Sequence, residues 1–564
     1  MKRLLLSLAI VAVAAASCQK DLIQDEIFLS ASSGVNSPRV VGGEEINPGL
    51  PPNVLNVTDS LSNPYTISNM RLAYRNAIIK YGESVFGNFD ISDIILTHYY
   101  VKFEPETEAQ LDNLIDYFKE DDITFFDYPI EYETCGEGMV EAPLIGIMPL
   151  YACIPSNITL PFFCKYTILD SIFLPDDQEG DISTLNADGV SVEAMDLLLD
   201  EAYSAVGIED TRASTKWRPS GSIMVWDDLL NKYVPVVGVK VKAHNGLKTA
   251  SGVTDENGYF SVDKTFKRAV KYTIVWENEH WDIRTGLTGQ AKYHKGDKTT
   301  ASWNVSFHDL SRGENYAHIH RALWYHFYGD DNGCGRVSSN KKVKVAYMNT
   351  VNNTILARFN TSLPIGGMAC DIKIFGNTSG EVSRTYGESL YSQYIIGSLL
   401  HELAHASMYT ILGKNAYKDV DIYLRESWAA FVSWLQTYKY YDYEGMGTTI
   451  KGNTSTSGVD KPNYFNCQDW TNYSYEETPL LIDLFDNSNQ RQHAIDDKDG
   501  YVQADSTLYP NDKIYIPPTT YNVKIVKDLV YASESIDEFK TNMIAKFKAL
   551  YIHPSLFNEY ISSY

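Results

Sequence analysis

Basic residues are scarce in this 564-residue sequence. Its 48 Lys and Arg residues are outnumbered by 72 Asp and Glu residues, so the formal net charge at pH 7 is −24. Nucleic acids and anionic membrane surfaces bind proteins mainly through clustered Lys and Arg side chains. The charge balance therefore argues against both as partners.

Cysteine is also rare, with seven residues in the whole chain. No two of them form a C-x-x-C pair, so a zinc site made of cysteines is not expected. In an oxidising compartment, the candidate disulfides are Cys153 with Cys164 and Cys334 with Cys370. Buried thiols are the equally open alternative.

The apolar run at the N-terminus is too short to cross a bilayer. It covers residues 4–16 and follows Lys2 and Arg3, as the apolar segment of a signal peptide follows its positive start. Three small residues then precede Cys18, as in a bacterial lipobox. The pattern predicts a lipoprotein signal peptide, residues 1–17, with Cys18 as the acylated first residue. An ordinary signal peptide with an incidental Cys18 is the alternative.

The residues after Cys18 indicate where the protein would be held. Gln19, Lys20 and Asp21 resemble the export signal of surface-exposed lipoproteins in some Gram-negative bacteria. Residues 18–52 are rich in Ser, Gly, Asn and Pro, which is typical of a flexible tether. We therefore expect an outer-membrane lipoprotein exposed at the cell surface, with membrane contact only through its lipid anchor.

Apolar residues at helical spacing predict a helix over residues 391–412. Within it, His401, Glu402 and His405 form the pattern H-E-x-x-H. Residues four apart lie on one face of a helix, so both imidazoles can reach one tetrahedral Zn²⁺ at about 2.0–2.1 Å. Glu402 is placed to take a proton from water on the metal. Two surface histidines in a chance pattern are the alternative.

A third ligand is not found where a metzincin would have one. Met408 and Ile411 occupy the positions of the Gly and the third His in the longer pattern H-E-x-x-H-x-x-G-x-x-H. The sequence therefore has to supply its third ligand from another element.

A second helix is predicted over residues 419–440, after a short loop at 413–418 that favours an antiparallel neighbour. Glu426 lies about as far after this turn as the second histidine lies before it, so the two side chains can face each other. Asp419 and Asp421 are the fallback ligands. A solvated Glu426 outside the site is the remaining alternative.

This helix pair resembles that of the gluzincin metallopeptidases, which carry H-E-x-x-H on one helix and a Glu on the next. The resemblance implies that His401, His405 and Glu426 hold zinc, and that Glu402 is the general base and then the proton shuttle. It also implies a Tyr or His that stabilises the oxyanion, which no motif identifies. Finally, it implies an edge strand that pairs with the substrate backbone, and residues 371–375 are the candidate.

The chain divides into three regions of different pattern. Residues 53–212 predict a small α/β domain of ferredoxin-like or propeptide-like order, and a pro-segment that covers the zinc cleft is one interpretation. Residues 220–305 predict β-strands, and their G-V-x-V and T-D-x-x-G-x-F segments resemble the carboxypeptidase-regulatory-like (transthyretin-like) β-sandwich. Residues 306–564 would form the zincin-like α+β domain. The expected fold is therefore multidomain α+β.

Three more histidines fall on one predicted helix, residues 314–328. His318 and His320 are two positions apart, so their side chains point in different directions and cannot share a metal ion. We therefore expect these two and His326 to be core or surface residues.

The expected function is that of a zinc-dependent endopeptidase acting on extracellular proteins or peptides, with Glu402 as general base. The alternative is a catalytically silent zincin-fold surface lipoprotein that binds host proteins or glycans, because a scaffold can be kept without its activity.

Overall fold

A computed structural model describes the chain from residue 55 onward, with gaps. The described residues are 55–121, 123–130, 132–135, 137–140, 147–175, 192–208, 212–286, 289–308, 312–338, 340, 342–351, 357–361, 365, 370–376, 383–385, 389–443, 481, 485, 493–496, 500–503 and 519–547. All of them belong to one unit, Asn53–Tyr564. The predicted signal peptide (1–17), Cys18 and the predicted tether (18–52) lie outside the described residues.

The N-terminal region combines a three-stranded sheet with helices. Its elements are β1 (Asn56–Ser60), α1 (Ile67–Tyr81), β2 (His98–Glu104), α2 (Glu108–Tyr117), β3 (Tyr132–Cys135), β4 (Leu150–Pro155), β5 (Lys165–Ile172) and α3 (Val192–Ala205). The sheet is antiparallel, in the order β4–β2–β5. Thr66 and Thr107 begin α1 and α2, because each hydroxyl accepts a hydrogen bond from the N–H three residues later. Helices α1 and α3 pack together over one buried core.

A β-rich region follows. Its strands are β6 (Arg212–Trp217), β7 (Ser220–Asp227), β8 (Lys232–Pro235), β9 (Lys240–Asn245), β10 (Lys248–Val253), β11 (Tyr259–Ser261), β12 (Phe266–Arg268), β13 (Lys271–Val275), β14 (Trp281–Arg284), β15 (Lys292–His294) and β16 (Trp303–Phe307). One sheet has the order β10–β9–β13–β15, and the other has β11–β7–β16 with β8 also on β7. The apolar faces of both sheets belong to one buried core.

Strand β14 joins this β-rich region to the C-terminal sheet. The further elements are α4 (Arg312–Tyr328), β17 (Val343–Val351), β18 (Ala357–Phe359) and β19 (Ile372–Gly376). Their sheet has the order β14–β17–β19–β18, in which β14, β17 and β19 run parallel and β18 runs antiparallel. A strand from the predicted β-module thus completes the sheet beside the predicted zinc helices.

The C-terminal region is mainly helical. Its elements are β20 (Ser383–Thr385), β21 (Ser389–Leu390), α5 (Ser392–Leu412), α6 (Lys414–Asp419), α7 (Ile422–Tyr443), β22 (His493–Asp496), β23 (Gly500–Gln503), α8 (Thr520–Tyr531) and α9 (Ile536–Phe547). Helix α5 contacts α4, α7, β18 and β19. Because it is buried along nearly its whole length, its apolar residues extend around the helix rather than along one stripe. The chain is therefore a mixed α+β protein.

A buried ionic cluster attaches the N-terminal region to the C-terminal sheet. Arg284 on β14 donates to Asp282 Oδ2 (2.5 Å) and to Glu108 Oε1 on α2 (3.1 Å). Lys344 on β17 donates to Asp112 Oδ2, also on α2, over 2.5 Å. Buried charges are costly unless they are paired, so these contacts fix the position of α2 on the sheet.

The predicted edge strand is wrong. Residues 371–375 fall on β19, which has β17 on one side and β18 on the other. The edge strands of this sheet, as the described residues form it, are β14 and β18. Ile372 and Ile374 are fully buried, and this apolar alternation, which suggested a strand, carries no information on whether that strand lies at an edge.

The two predicted disulfides are also wrong, since Cys153, Cys164, Cys334 and Cys370 all carry thiols. Burial raises the pKa of Cys153, Cys334 and Cys370 to about 12. Protonated, buried thiols of this kind behave as small apolar side chains.

Candidate metal centre

The start of helix α5 is held by side chains from the β-rich region. Asp228 Oδ2 accepts a hydrogen bond from the Ser392 N–H (2.9 Å), and Ser392 Oγ donates to Asp227 Oδ1 (3.2 Å). Asp227 also accepts from Arg321 Nη1 on α4 (2.8 Å). Burial would raise the pKa of Asp227, but Arg321 holds it below the usual value. A fixed ion pair therefore positions the first turn of the helix that carries H-E-x-x-H.

Small residues let α7 lie close to α5. Ser433 Oγ donates to the carbonyl oxygen of Gly397 over 2.7 Å, and Ala429 on α7 is fully buried. Helix α7 begins at Ile422, three residues later than predicted, and the predicted loop 413–418 contains the short helix α6. The antiparallel pair still brings Glu426 to the histidines.

Three side chains from these helices converge on one point. His401 Nε2 lies 3.2 Å from Glu426 Oε2, and His405 Nε2 lies 3.1 Å from the same oxygen. The two Nε2 atoms are 3.2 Å apart. The sequence-predicted ligand set is therefore assembled in space, and no other cluster able to hold a metal ion occurs among the described residues.

The donor set fits a tetrahedral zinc ion. Zinc bonds to imidazole nitrogen and carboxylate oxygen are about 2.0–2.2 Å long, so two ligands of one tetrahedral ion lie about 3.3 Å apart. The three separations in the cluster are 3.2 Å for His401–Glu426, 3.1 Å for His405–Glu426 and 3.2 Å for His401–His405. Two imidazoles and one carboxylate are also a donor set that zinc enzymes use.

Solvent reaches one side of the cluster. The side chains of His401 and Glu426 are 21% and 27% exposed, whereas that of His405 is only 5% exposed. Structural zinc sites are closed by four protein ligands, while catalytic sites keep one position for water or substrate. The three side chains leave one side of the cluster open to solvent.

Glu426 is held in its charged form. Burial would raise the pKa of its carboxyl, but hydrogen bonds from His401 and His405 outweigh this effect, and the pKa falls well below the usual range. A carboxylate is the form that binds a cation. The two imidazoles therefore keep Glu426 as a carboxylate.

Tyr417 is a residue of this site that sequence reasoning missed. Its hydroxyl lies 3.2 Å from His405 Nδ1, on the side of the ring away from the cluster. Burial raises the pKa of Tyr417 above its ordinary range, so the hydroxyl stays neutral and can accept the Nδ1–H. In the tautomer with its proton on Nδ1, this contact would leave the Nε2 lone pair of His405 to a metal ion. Because α6 was predicted as a loop, no spacing pointed to Tyr417.

Glu402, the predicted general base, is buried on α5, with 7% of its surface exposed. It follows His401 directly and is not among the three residues whose ligand atoms converge. That leaves its carboxylate for proton transfer.

The remaining candidate ligands lie elsewhere. Asp421 Oδ1 accepts from the Tyr423 N–H (3.0 Å) at the start of α7, and neither it nor Asp419 joins the cluster. His318 and His320 are buried in the core, as predicted. His326 Nε2 accepts a hydrogen bond from the Val337 N–H (3.1 Å).

The chain matches no protein-family model, no curated protein and no solved structure. Within the described ranges, no helix has the length and apolar character that a membrane span requires. The function is therefore inferred from the geometry of the site itself.

Proposed function

We propose that this chain is a zinc-dependent endopeptidase of gluzincin type, acting on extracellular proteins or peptides. The observation that carries the proposal is the convergence of His401 Nε2, His405 Nε2 and Glu426 Oε2 at 3.1–3.2 Å on a solvent-accessible side. Glu402 lies beside them on the same helix.

In this mechanism His401, His405 and Glu426 hold the ion. Zinc, when bound, polarises a scissile carbonyl and lowers the pKa of water. Glu402 takes the proton of the attacking water and later gives it to the leaving amine. Tyr417 keeps His405 in the tautomer whose Nε2 is unprotonated.

The proposal extends to the domains. Residues 306–564 would be a zincin-like domain, residues 220–305 a transthyretin-like sandwich, and residues 53–212 a separate α/β domain. Two contacts support a structural role for the sandwich beside the site: β14 pairs with β17, and Asp228 holds the start of α5. With Cys18 acylated, the enzyme would be displayed at the outer-membrane surface, where its substrates are proteins or peptides rather than nucleic acids.

Zinc content tests this proposal directly. The purified protein should hold about one zinc ion per chain, and Glu426→Ala should hold far less because one of three ligands is lost. Asp419→Ala is the matched control, since this exposed acid at the end of α6 stays outside the cluster. Little zinc in the folded parent after zinc is supplied would overturn the proposal and favour a binding protein.

A further inference from the structure

Helix α4 carries an aromatic stripe that faces a cavity. Arg321, Trp324, Tyr325 and Tyr328 follow the spacing i, i+3, i+4, i+7, so they share one face of the helix. Such a stripe is usually covered by a neighbouring element. Here the same four residues line a cavity of about 830 Å³.

Two other elements form the opposite walls of this cavity. Glu256 and Asn257 come from the turn between β10 and β11, and Lys439 and Tyr440 come from the last turns of α7. The cavity thus lies where the β-rich region meets the helical region, a common location for ligand sites.

The aromatic walls are fixed before any ligand arrives. Trp324 packs on Gly238, where a Cβ would collide with the indole ring. Tyr328 packs against Trp324 with 4.3 Å between ring centroids and the ring planes tilted by 39°, and its hydroxyl donates to Glu279 Oε1 (2.9 Å). Side chains that are already ordered lose little entropy on binding. Tyr328 nevertheless keeps 43% of its surface exposed, so its ring is accessible.

The wall of the cavity carries charges of both signs. Arg321 is already paired with Asp227, whose Oδ2 accepts from Arg321 Nη1 over 2.8 Å. Lys439 adds one positive charge, and Glu256 and Asp330 add two negative charges. The single negative charge in excess disfavours an anionic ligand. The other polar groups of the wall are the amides of Asn257 and Asn332, the hydroxyls of Tyr325, Tyr328 and Tyr440, and the indole N–H of Trp324.

We propose that this cavity binds an uncharged saccharide. The apolar C–H faces of a sugar ring pack on aromatic rings, as at Tyr328. Each sugar hydroxyl can both donate and accept a hydrogen bond. Carboxylates can accept from it, cationic side chains can donate to it, and amides can do both. A peptide main chain would be expected to pair with a strand edge instead, and the stripe on α4 offers none.

The cavity and the metal centre share helix α7. Tyr440 follows Glu426 by fourteen residues, which is about 21 Å along a helix axis. Saccharide binding itself requires no metal. The further step, that the site positions the glycan of a glycosylated substrate for cleavage, rests on the proposed peptidase function.

Saccharide titrations of the whole protein test the proposal. Glucose, galactose, mannose, N-acetylglucosamine and N-acetylgalactosamine would each be followed by calorimetry and saturation-transfer NMR. We expect at least one to bind the parent, and Tyr328→Ala to bind it about tenfold more weakly, because an aromatic contact is lost. Tyr117→Ala is the matched control, since Tyr117 is also 43% exposed but lies on α2.

Two further variants make the result interpretable. Tyr328→Phe keeps the ring and should keep most of the affinity. Glu426→Ala should bind the saccharide like the parent, so loss of the zinc site and loss of the sugar site are separate outcomes. The proposal is overturned if none of the five sugars binds, or if Tyr328→Ala binds as tightly as the parent.

Discussion

Two helices in the described part of the chain, α4 and α5, carry histidines, and their imidazoles have very different partners. On α4, His320 Nε2 donates to the carbonyl oxygen of Val237 (2.8 Å), and the ring is 2% exposed. On α5, the Nε2 atoms of His401 and His405 face each other and a carboxylate from α7. An imidazole whose nitrogen is hydrogen-bonded to a backbone carbonyl has a structural role in the core. An imidazole whose nitrogen faces other possible metal ligands remains available for a metal ion.

Among the substitutions considered, Glu402→Gln on α5 should cause the largest change, which is a loss of turnover. Without a group that accepts the proton of water, turnover should fall by about 10²–10⁴-fold. Zinc content should stay at the parent level, because Glu402 is outside the ligand cluster. Peptide cleavage and bound zinc would be measured on the same preparation, and normal cleavage by this variant would rule out the mechanism.

Much of the α5–α7 site could be predicted because it depends on local spacing. His405 is four positions after His401, so the two share one face of a helix, and a short connection to an antiparallel helix can place Glu426 opposite them. The predicted helix 391–412 is observed as Ser392–Leu412. An error of three residues in the start of α7 did no harm, because Glu426 still projects towards the neighbouring helix.

Contacts between distant segments could not be predicted in this way. The Asp228–Ser392 hydrogen bond joins residues 164 positions apart, and the pairing of β14 with β17 crosses a predicted domain boundary. Neither leaves a periodic signal in the sequence. The same limit explains the wrong edge strand and the wrong disulfides, since both depended on which segments become neighbours in space.

The pH dependence of the free energy of unfolding tests whether His320 on α4 is a buried, neutral core residue. Burial lowers its pKa from 6.5 to about 4. Between these values the unfolded chain takes up a proton that the folded chain does not, so the stability contribution is present above pH 6.5 and is lost as the pH falls. The shift predicts about 2 kcal/mol less stability at pH 5 than at pH 7 from this residue.

His320→Gln should flatten that dependence, because glutamine can donate to Val237 but does not titrate. Urea unfolding at pH 7 and pH 5 gives the difference in free energy for parent and variant. His280→Gln is the control, since His280 has a side chain that is 38% exposed. If both variants keep the parent's pH dependence, His320 does not have the role assigned to it.

Tyr417→Phe would remove the hydrogen-bond partner of His405 Nδ1 and leave the proposed ligand atom, Nε2, unchanged. The variant keeps the ring, which packs edge-on against Tyr409 with centroids 5.5 Å apart, but removes the hydroxyl beside His405 Nδ1. Zinc affinity should fall by about tenfold, as is typical when a partner that orients a metal-bound histidine is lost.

Competition with a zinc chelator measures the effect, and Tyr409→Phe, which removes a nearby hydroxyl that does not contact His405, should retain the parent affinity. If both variants bind zinc as tightly as each other, the Tyr417 hydroxyl does not contribute to zinc affinity. In that case α5 and α7 alone would orient His405.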